Sequence, residues 1–103
     1  MYKLCFFVPQ SHLEQVKLAL FEKGAGRIGD YDCCSWQVLG EGQFRALDGA
    51  KPFLGEINRI EKVAEYKVEM VVADDLIVEI VQELKHTHPY EEPAYEVYQM
   101  LSL

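Results

Sequence analysis

His86-Thr87-His88-Pro89-Tyr90-Glu91-Glu92-Pro93 places two imidazoles, a phenol and two carboxylates in one short segment that ends in proline. Pro89 prevents the preceding helical pattern from continuing, because proline has no backbone N–H and its ring clashes with the turn before it. Residues 95–101 then alternate as a final strand. The segment is therefore predicted to be an ordered turn between a helix and a strand.

The elements before this turn follow from hydrophobic spacing. Residues 63–72 alternate between apolar and charged side chains, which predicts a strand with one buried face. A second helix follows, with Asp74 or Asp75 as the N-cap. Its apolar stripe consists of Leu76, Ile77, Ile80, Val81 and Leu84.

The first half of the chain gives a strand, a helix and a hairpin. Residues 2–8 alternate as the first strand, and Ser11 with Glu14 forms a capping-box pattern for a helix over residues 11–23, which Gly24 ends. Residues 31–38 and 43–47 are extended runs on either side of residues 39–42. The two glycines of that connection favour a chain reversal, so a hairpin is predicted.

The order of elements is strand, helix, strand with a hairpin, strand, helix, strand. This order predicts an α+β, ferredoxin-like βαββαβ sandwich in which two helices cover one face of an antiparallel sheet, with an extra β-hairpin arm. Residues 1–103 form a single domain. The other face of the sheet carries Cys5, Phe7, Tyr98 and Met100. This face is too apolar to be fully exposed to water, so self-association is expected.

Composition excludes several classes of protein. A net charge of -7, with ten dispersed Lys and Arg, argues against a nucleic-acid partner. No apolar run approaches the roughly 18 residues of a membrane span. Three cysteines, two of them adjacent, do not form a disulfide framework, and a reducing cytoplasm is the expected location.

A metal site is one interpretation of the histidines. His86 and His88, with Glu91 and Glu92 nearby and Cys33 or Cys34 brought close by folding, are ligands that suit Cu or Zn. The alternative is structural, with His86 at the end of a helix and His88 in the turn that follows it. The sequence requires no cofactor, and a divalent metal ion is the one candidate.

Catalysis is a further interpretation. Tyr90, Glu91 and Glu92 could act as acid or base groups, yet no nucleophile is visibly paired with a base. Gly24-Ala25-Gly26-Arg27-Ile28-Gly29 has the spacing of a dinucleotide fingerprint, but it follows a helix instead of opening one. A structural turn is favoured, and the chain is not expected to be an enzyme.

Four motifs together resemble one family. They are Tyr2-Lys3-Leu4 with Phe7-Val8-Pro9, residues 24–34, Gly42-Gln43-Phe44-Arg45, and His88-Pro89-Tyr90-Glu91-Glu92-Pro93-Ala94-Tyr95. They resemble the YqfO-type domain, which is related to the CutA divalent-cation-tolerance proteins and the PII signalling proteins. That domain also occurs as an insert in larger NIF-three-like proteins, whose dinuclear metal site lies in the flanking halves.

The resemblance implies a ferredoxin-like fold, oligomerisation and a regulatory or ligand-binding role. CutA-like relatives are trimers that have been linked to copper. Because the resemblance does not extend to the flanking halves, a metal centre and a hydrolase or cyclohydrolase activity do not transfer with it. The chain is expected to be a stand-alone version of the domain.

The leading hypothesis is a cytoplasmic, non-enzymatic domain that forms a dimer or trimer and binds a small ligand or cation in a subunit cleft. The cleft is predicted to join the turn 88–93 to the arm 31–45. Its candidate residues are Tyr31, Arg45, His88, Tyr90, Glu91 and Glu92. The alternatives are a Cu or Zn tolerance protein that uses His86 and His88, and a small hydrolase that uses Glu91 or Glu92 as base.

Overall fold

A computed structural model describes all 103 residues. The elements are β1 (Tyr2–Pro9), a short 3-10 helix (Gln10–His12), α1 (Leu13–Glu22), β2 (Trp36–Arg45), β3 (Ile60–Val72), α2 (Ile77–Thr87) and β4 (Tyr95–Gln99). The strands form one antiparallel sheet in the order β2-β3-β1-β4. This is the predicted ferredoxin-like βαββαβ fold. Neither helix has the length and hydrophobicity needed to cross a membrane.

The core lies between the two helices and one face of the sheet. Leu4 pairs with Met70 and Phe6 with Val68, and directly opposed residues of an antiparallel pair share a face. The alternation of β1 and β3 therefore directs both sets of apolar side chains toward the helices. The buried cluster consists of Leu4, Phe6, Val8, Leu13, Val16, Leu20, Ala25, Val68, Met70, Val72, Ile80 and Leu84.

Both helices begin differently from the sequence prediction. The capping box is not formed, because the chain enters a 3-10 turn directly after Pro9, and the Ser11 hydroxyl bonds instead to His12 Nδ1 at 2.8 Å. Helix α2 has Leu76 as its N-cap residue without a side-chain cap bond. The carboxylate of Asp74 pairs with the amino terminus of Met1 instead of capping α2.

The predicted chain reversal at residues 39–42 is wrong. β2 runs without interruption through Gly40 and Gly42, and it pairs with β3 from Trp36 opposite Glu69 to Arg45 opposite Ile60. Neither glycine has the positive φ that a tight reversal requires. The arm exists, but β2 and β3 form it themselves, because β1 pairs with β3 only over residues 65–72. Residues 41–45 and 60–64 extend beyond the rest of the sheet.

The connection at the end of the arm, residues 46–59, is held by its own contacts. Ala46 and Ile57 form an isolated bridge, and Asn58, with a φ of 63°, donates its side-chain N–H to Asp48 at 3.1 Å. Asparagine tolerates this left-handed conformation better than most residues. The connection therefore has a defined shape, which places residues 50–54 beside the turn 88–93.

The glycine-rich segment after α1 forms a close turn against β3. Gly26 has a φ of 76°, and its N–H donates to the Val71 carbonyl at 2.8 Å. A side chain at this position would place Cβ only 2.8 Å from the Cys34 carbonyl oxygen. Gly26 thus lets the chain pass close to β3 on its way from α1 to β2.

Candidate functional site

The turn 88–93 begins where α2 ends. His88 is the C-cap residue, with an extended backbone conformation (φ -70°, ψ 139°), and its N–H donates to the Leu84 carbonyl. A residue that precedes proline is driven to this conformation by the proline ring. The His-Pro sequence therefore stops the helix and directs the chain toward β1.

The backbone of Phe7 in β1 holds both ends of this turn. Its carbonyl is 2.6 Å from His88 Nε2, and its N–H donates to the Ala94 carbonyl at 3.2 Å. The other ring nitrogen, His88 Nδ1, accepts the N–H of Tyr90 at 3.1 Å. The turn is therefore fixed by one imidazole and by the backbone N–H and carbonyl of one residue.

These partners determine the tautomer of His88. A carbonyl only accepts and an amide N–H only donates, so Nε2 carries the proton and Nδ1 presents a lone pair. His88 is 6% exposed. Burial lowers the pKa of His88, the positive charge of His12 lowers it further, and the bond to Phe7 opposes both. The neutral imidazole is the form that this environment favours.

Tyr90 lies at the centre of an aromatic group beside the turn. Its ring centroid is 5.0 Å from that of His88, 6.2 Å from that of Phe53 and 6.3 Å from that of Phe44. These separations fall within the range of favourable aromatic pairs. Aromatic packing thereby brings together the turn, the connection 46–59 and the arm.

A cleft of about 440 Å³ opens between these three segments. Phe7, Phe44, Val63 and Glu65 contribute to it from the sheet face opposite the helices, as their strand register shows. Ten of its seventeen lining residues are hydrophobic. The lining consists of Phe7, Gly42, Gln43, Phe44, Arg45, Ala46, Leu47, Ala50, Pro52, Phe53, Leu54, Val63, Glu65, Tyr90, Glu91, Glu92 and Ala94.

Glu65 is a half-buried carboxylate in this cleft. It takes part in none of the five ion pairs of the protein. Burial raises the pKa of Glu65. A Cβ at Gly42 would lie 2.1 Å from its carboxylate oxygen, so the carboxylate occupies the space that a side chain at this position of β2 would fill.

The phenol of Tyr90 is a second polar group without a counterpart. Its oxygen is buried and has no hydrogen-bond partner within the protein. Burial raises the pKa of Tyr90, and the negative charge of Glu65 raises it further. The phenol and the carboxylate therefore act on each other electrostatically, yet neither satisfies the other by a hydrogen bond. Unpaired buried polar groups are costly, and they are common at functional sites.

Four of the predicted site residues line this cleft: Arg45, Tyr90, Glu91 and Glu92. Glu91 also accepts the backbone N–H of Lys51 at 3.2 Å, which ties the turn to the connection 46–59. His88 lies beneath the cleft and supports it without lining it. The turn 88–93 and the end of the arm are therefore brought together.

Tyr31 is not part of this cleft. It is 75% exposed and forms an isolated bridge with Ile28, ahead of β2. The sequence predicts Tyr31 and Arg45 on the two extended runs of one short hairpin, both lining a single cleft. Because β2 is a single long strand, its start lies opposite Glu69 and its end lies opposite Ile60, so the two residues are at opposite ends.

The prediction missed Glu65, Phe7 and Phe53. Its alternation with apolar residues along β3 predicts only that Glu65 lies on the face that is wet or pairs with another subunit. The signal that indicates its role is the pair Gly40 and Gly42, since glycine inside a strand marks a close approach. Phe53 has no comparable signal in the sequence, because its position depends on how the connection 46–59 folds.

The residues proposed for metal binding do not converge. His86 is exposed on the last turn of α2, and both ring nitrogens of His88 are already engaged. Cys33 is exposed and Cys34 is partly buried, and no group of three or more His, Cys, Asp or Glu side chains is arranged to hold a metal ion. A metal at His88 would have to displace a bond that holds the turn.

No protein-family model matches the chain. A curated relative, the "GTP cyclohydrolase 1 type 2 homolog" of Mycobacterium bovis, is 44% identical over 99 residues, which is 96% of this chain and 26% of the relative. A solved Bacillus cereus protein related to NIF3 superposes with a TM-score of 0.81 at 35% identity. The superposition covers 94% of this chain and 24% of the Bacillus cereus chain.

A more distant structure covers most of both chains. The PII-like protein CutA from Nostoc sp. PCC 7120 has a TM-score of 0.69 at 20% identity, over 97% of this chain and 81% of its own. The likeness at this identity concerns the fold, which is that of a CutA-like and PII-like domain.

Within that class, the chain is a homologue of a domain-sized part of the NIF3-related GTP cyclohydrolase 1 type 2 homologs, as the loop motifs predict. It spans about a quarter of the length of the curated relatives that it matches.

The first prediction concerns the pH dependence of stability. Since the pKa of His88 in the folded protein lies below its ordinary value of 6.5, the unfolded chain takes up the proton first as the pH falls. The free energy of unfolding is expected to decrease below pH 6.5, and the decrease should be smaller in His88→Gln. Urea unfolding over a pH series measures the difference.

His86→Gln is the matched control, because His86 is exposed on the same helix. It should keep the wild-type pH profile. Parallel profiles for the wild type and His88→Gln would contradict the assignment of a neutral, doubly bonded His88.

The second prediction concerns the unpaired phenol. Tyr90→Phe removes a buried hydroxyl without a protein partner, so it should leave stability unchanged or raise it by up to about 1 kcal/mol. Tyr31→Phe is the control for removing an exposed hydroxyl. A loss of more than about 1 kcal/mol on Tyr90→Phe in urea unfolding, at fixed protein concentration, would show that the hydroxyl has a partner.

Proposed function

We propose that this domain is a non-enzymatic, self-associating module that binds a small ligand in the cleft between the arm and the turn 88–93. The observation that carries the proposal is the cleft itself. Its volume of about 440 Å³, mainly apolar lining and few converging polar groups are typical of small-molecule sites.

The composition of the cleft favours binding over catalysis. Its lining contains no Ser, Thr, Cys, His or Lys side chain, so the aliphatic hydroxyl, thiol, imidazole and amine groups of covalent catalysis are missing from it. Glu91 and Glu92 are exposed, and Glu91 already accepts a backbone N–H. These features do not favour the hydrolase alternative.

The name of the curated relatives refers to GTP cyclohydrolase, but this chain matches about a quarter of their length. We assign to this domain a ligand-binding or regulatory part, and no step of that reaction. The three cysteines are free thiols, which supports a reducing location such as the cytoplasm.

Self-association is supported by the shape and surface of the chain. The radius of gyration is 14.6 Å, whereas a compact domain of this length has about 13 Å. β2 is a long strand at the edge of the sheet, and Trp36, Val38 and Leu39 on it are 57%, 43% and 56% exposed. A long, apolar edge strand invites pairing with another chain. A second copy of this domain, as a dimer or trimer, is the proposed partner.

The ligand-binding proposal is tested by NMR titration with phenylethanol, a neutral apolar probe with one polar end. Shift changes should concentrate at Phe44, Phe53 and Tyr90, and Phe53→Ala should weaken binding because it removes one wall of the cleft. Leu18→Ala, at a similarly exposed position of α1, is the control. Changes scattered over both faces of the sheet would contradict the proposal.

The assembly proposal is tested by analytical ultracentrifugation. The wild type should sediment as a multiple of 11.9 kDa, and Leu39→Lys should shift it toward the monomer by placing a charge on the proposed pairing edge. Val78→Lys makes the same kind of change at an exposed position of α2 and should leave the assembly intact. A monomeric wild type at micromolar concentration would refute the proposal.

A further inference from the structure

We infer that the cleft selects organic cations, namely protonated primary or secondary amines carried on a small apolar or aromatic body. This inference rests on the proposed function and adds the chemical class of the ligand. It follows from three properties of the cleft: the sign of its charge, the position of its unpaired carboxylate and the nature of its walls.

The charge of the lining is negative. The lining residues include three with carboxylates (Glu65, Glu91 and Glu92) and one with a guanidinium (Arg45). The chain as a whole carries a net charge of -7. Low-dielectric walls strengthen the field of such groups, so a cation is attracted to the cleft and an anion is repelled.

Glu65 gives this charge a defined position inside the cleft. Glu91 and Glu92 are exposed to water. Glu65 is half-buried and unpaired, and its carboxylate occupies the space beside Gly42 that a side chain there would fill. No positive charge within the protein pairs with Glu65, and burial raises its pKa. A bound cation would supply that charge.

The walls suit an ammonium group with an apolar body. Phe7, Phe44, Phe53 and Tyr90 place four aromatic rings around the cleft, and ring faces attract cations. The Glu65 carboxylate can accept an N–H of an amine in a charge-assisted bond. A quaternary ammonium has no N–H for this acceptor, so primary and secondary amines are favoured.

An anionic ligand held by Arg45 is the competing possibility. Arg45 is exposed at the last position of β2, where the sheet ends, and no second cation lines the cleft beside it. By strand register, Arg45 lies on the face of the sheet opposite to that of Phe44 and Glu65. The arrangement therefore favours the cation.

The test compares three probes that share one phenylethyl body and differ in charge: phenylethylamine, phenylethanol and phenylpropionate. NMR titrations of the full chain at neutral pH give a dissociation constant for each. We expect phenylethylamine to bind about tenfold more tightly than phenylethanol, since a desolvated cation-π contact and a charge-assisted bond are together worth about that factor. Phenylpropionate should bind most weakly.

Two variants locate the source of the selectivity. Glu65→Gln should bring the affinity for phenylethylamine to that for phenylethanol in the same variant. Gly42→Ala keeps the charge of Glu65 but displaces its carboxylate, so it should also reduce the preference for the amine. Gly40→Ala is the matched control, because its added Cβ comes no closer than 4.0 Å to any neighbour.

The outcomes separate the inference from the proposed function. Equal affinities for the three probes, or a preference for the amine that survives Glu65→Gln, would overturn the inference while binding in the cleft stands. Tightest binding of phenylpropionate would overturn it in favour of Arg45. If none of the probes perturbs the cleft residues at millimolar concentration, both the inference and the proposed function fail.

Discussion

The two hydrogen bonds of the His88 ring are the constraint on which the cleft depends. One bond reaches the carbonyl of Phe7 in the core strand β1, and the other holds the N–H of Tyr90. Together they convert the end of α2 into a rigid turn and fix where Tyr90 lies. Tyr90 in turn packs against Phe44 and Phe53, so the cleft walls from three segments are positioned through this one side chain.

The cleft contains two polar groups that the protein itself does not pair. Glu65 is half-buried without a cation, and the Tyr90 phenol is buried without a protein partner. Each group costs stability in the free protein, and a ligand of matching chemistry would pair with Glu65. Sites that give up stability in this way are typical of binding and catalysis, and the lining of this cleft has the composition of a binding site.

The sequence predicts the sandwich well because the core elements have strong periodicity. One buried face corresponds to the alternation in residues 2–8, another to that in residues 63–72, and a third to the apolar stripe of α2. The position of Pro89 predicts where the turn begins. Residues 39–42 mislead, because glycine suits both a reversal and a close approach of strands, and only the pairing with β3 decides between them. The false reversal at residues 39–42 also led to the wrong prediction that Tyr31 lies in the cleft. Phe53 and Glu65 join the site through long-range contacts that local patterns do not encode.

The homologous proteins place this fold within a larger architecture, since their chains are about four times the length of the matched region. Within the domain itself, the shape of the cleft rests on the protonation state of His88, because each ring nitrogen must match its backbone partner. A long-range proton-nitrogen NMR spectrum of the histidine side chains tests this dependence most directly. At neutral pH we expect His88 to be a neutral imidazole protonated at Nε2, with an unprotonated Nδ1. A charged ring, or a ring protonated at Nδ1, would contradict the proposed basis of the cleft.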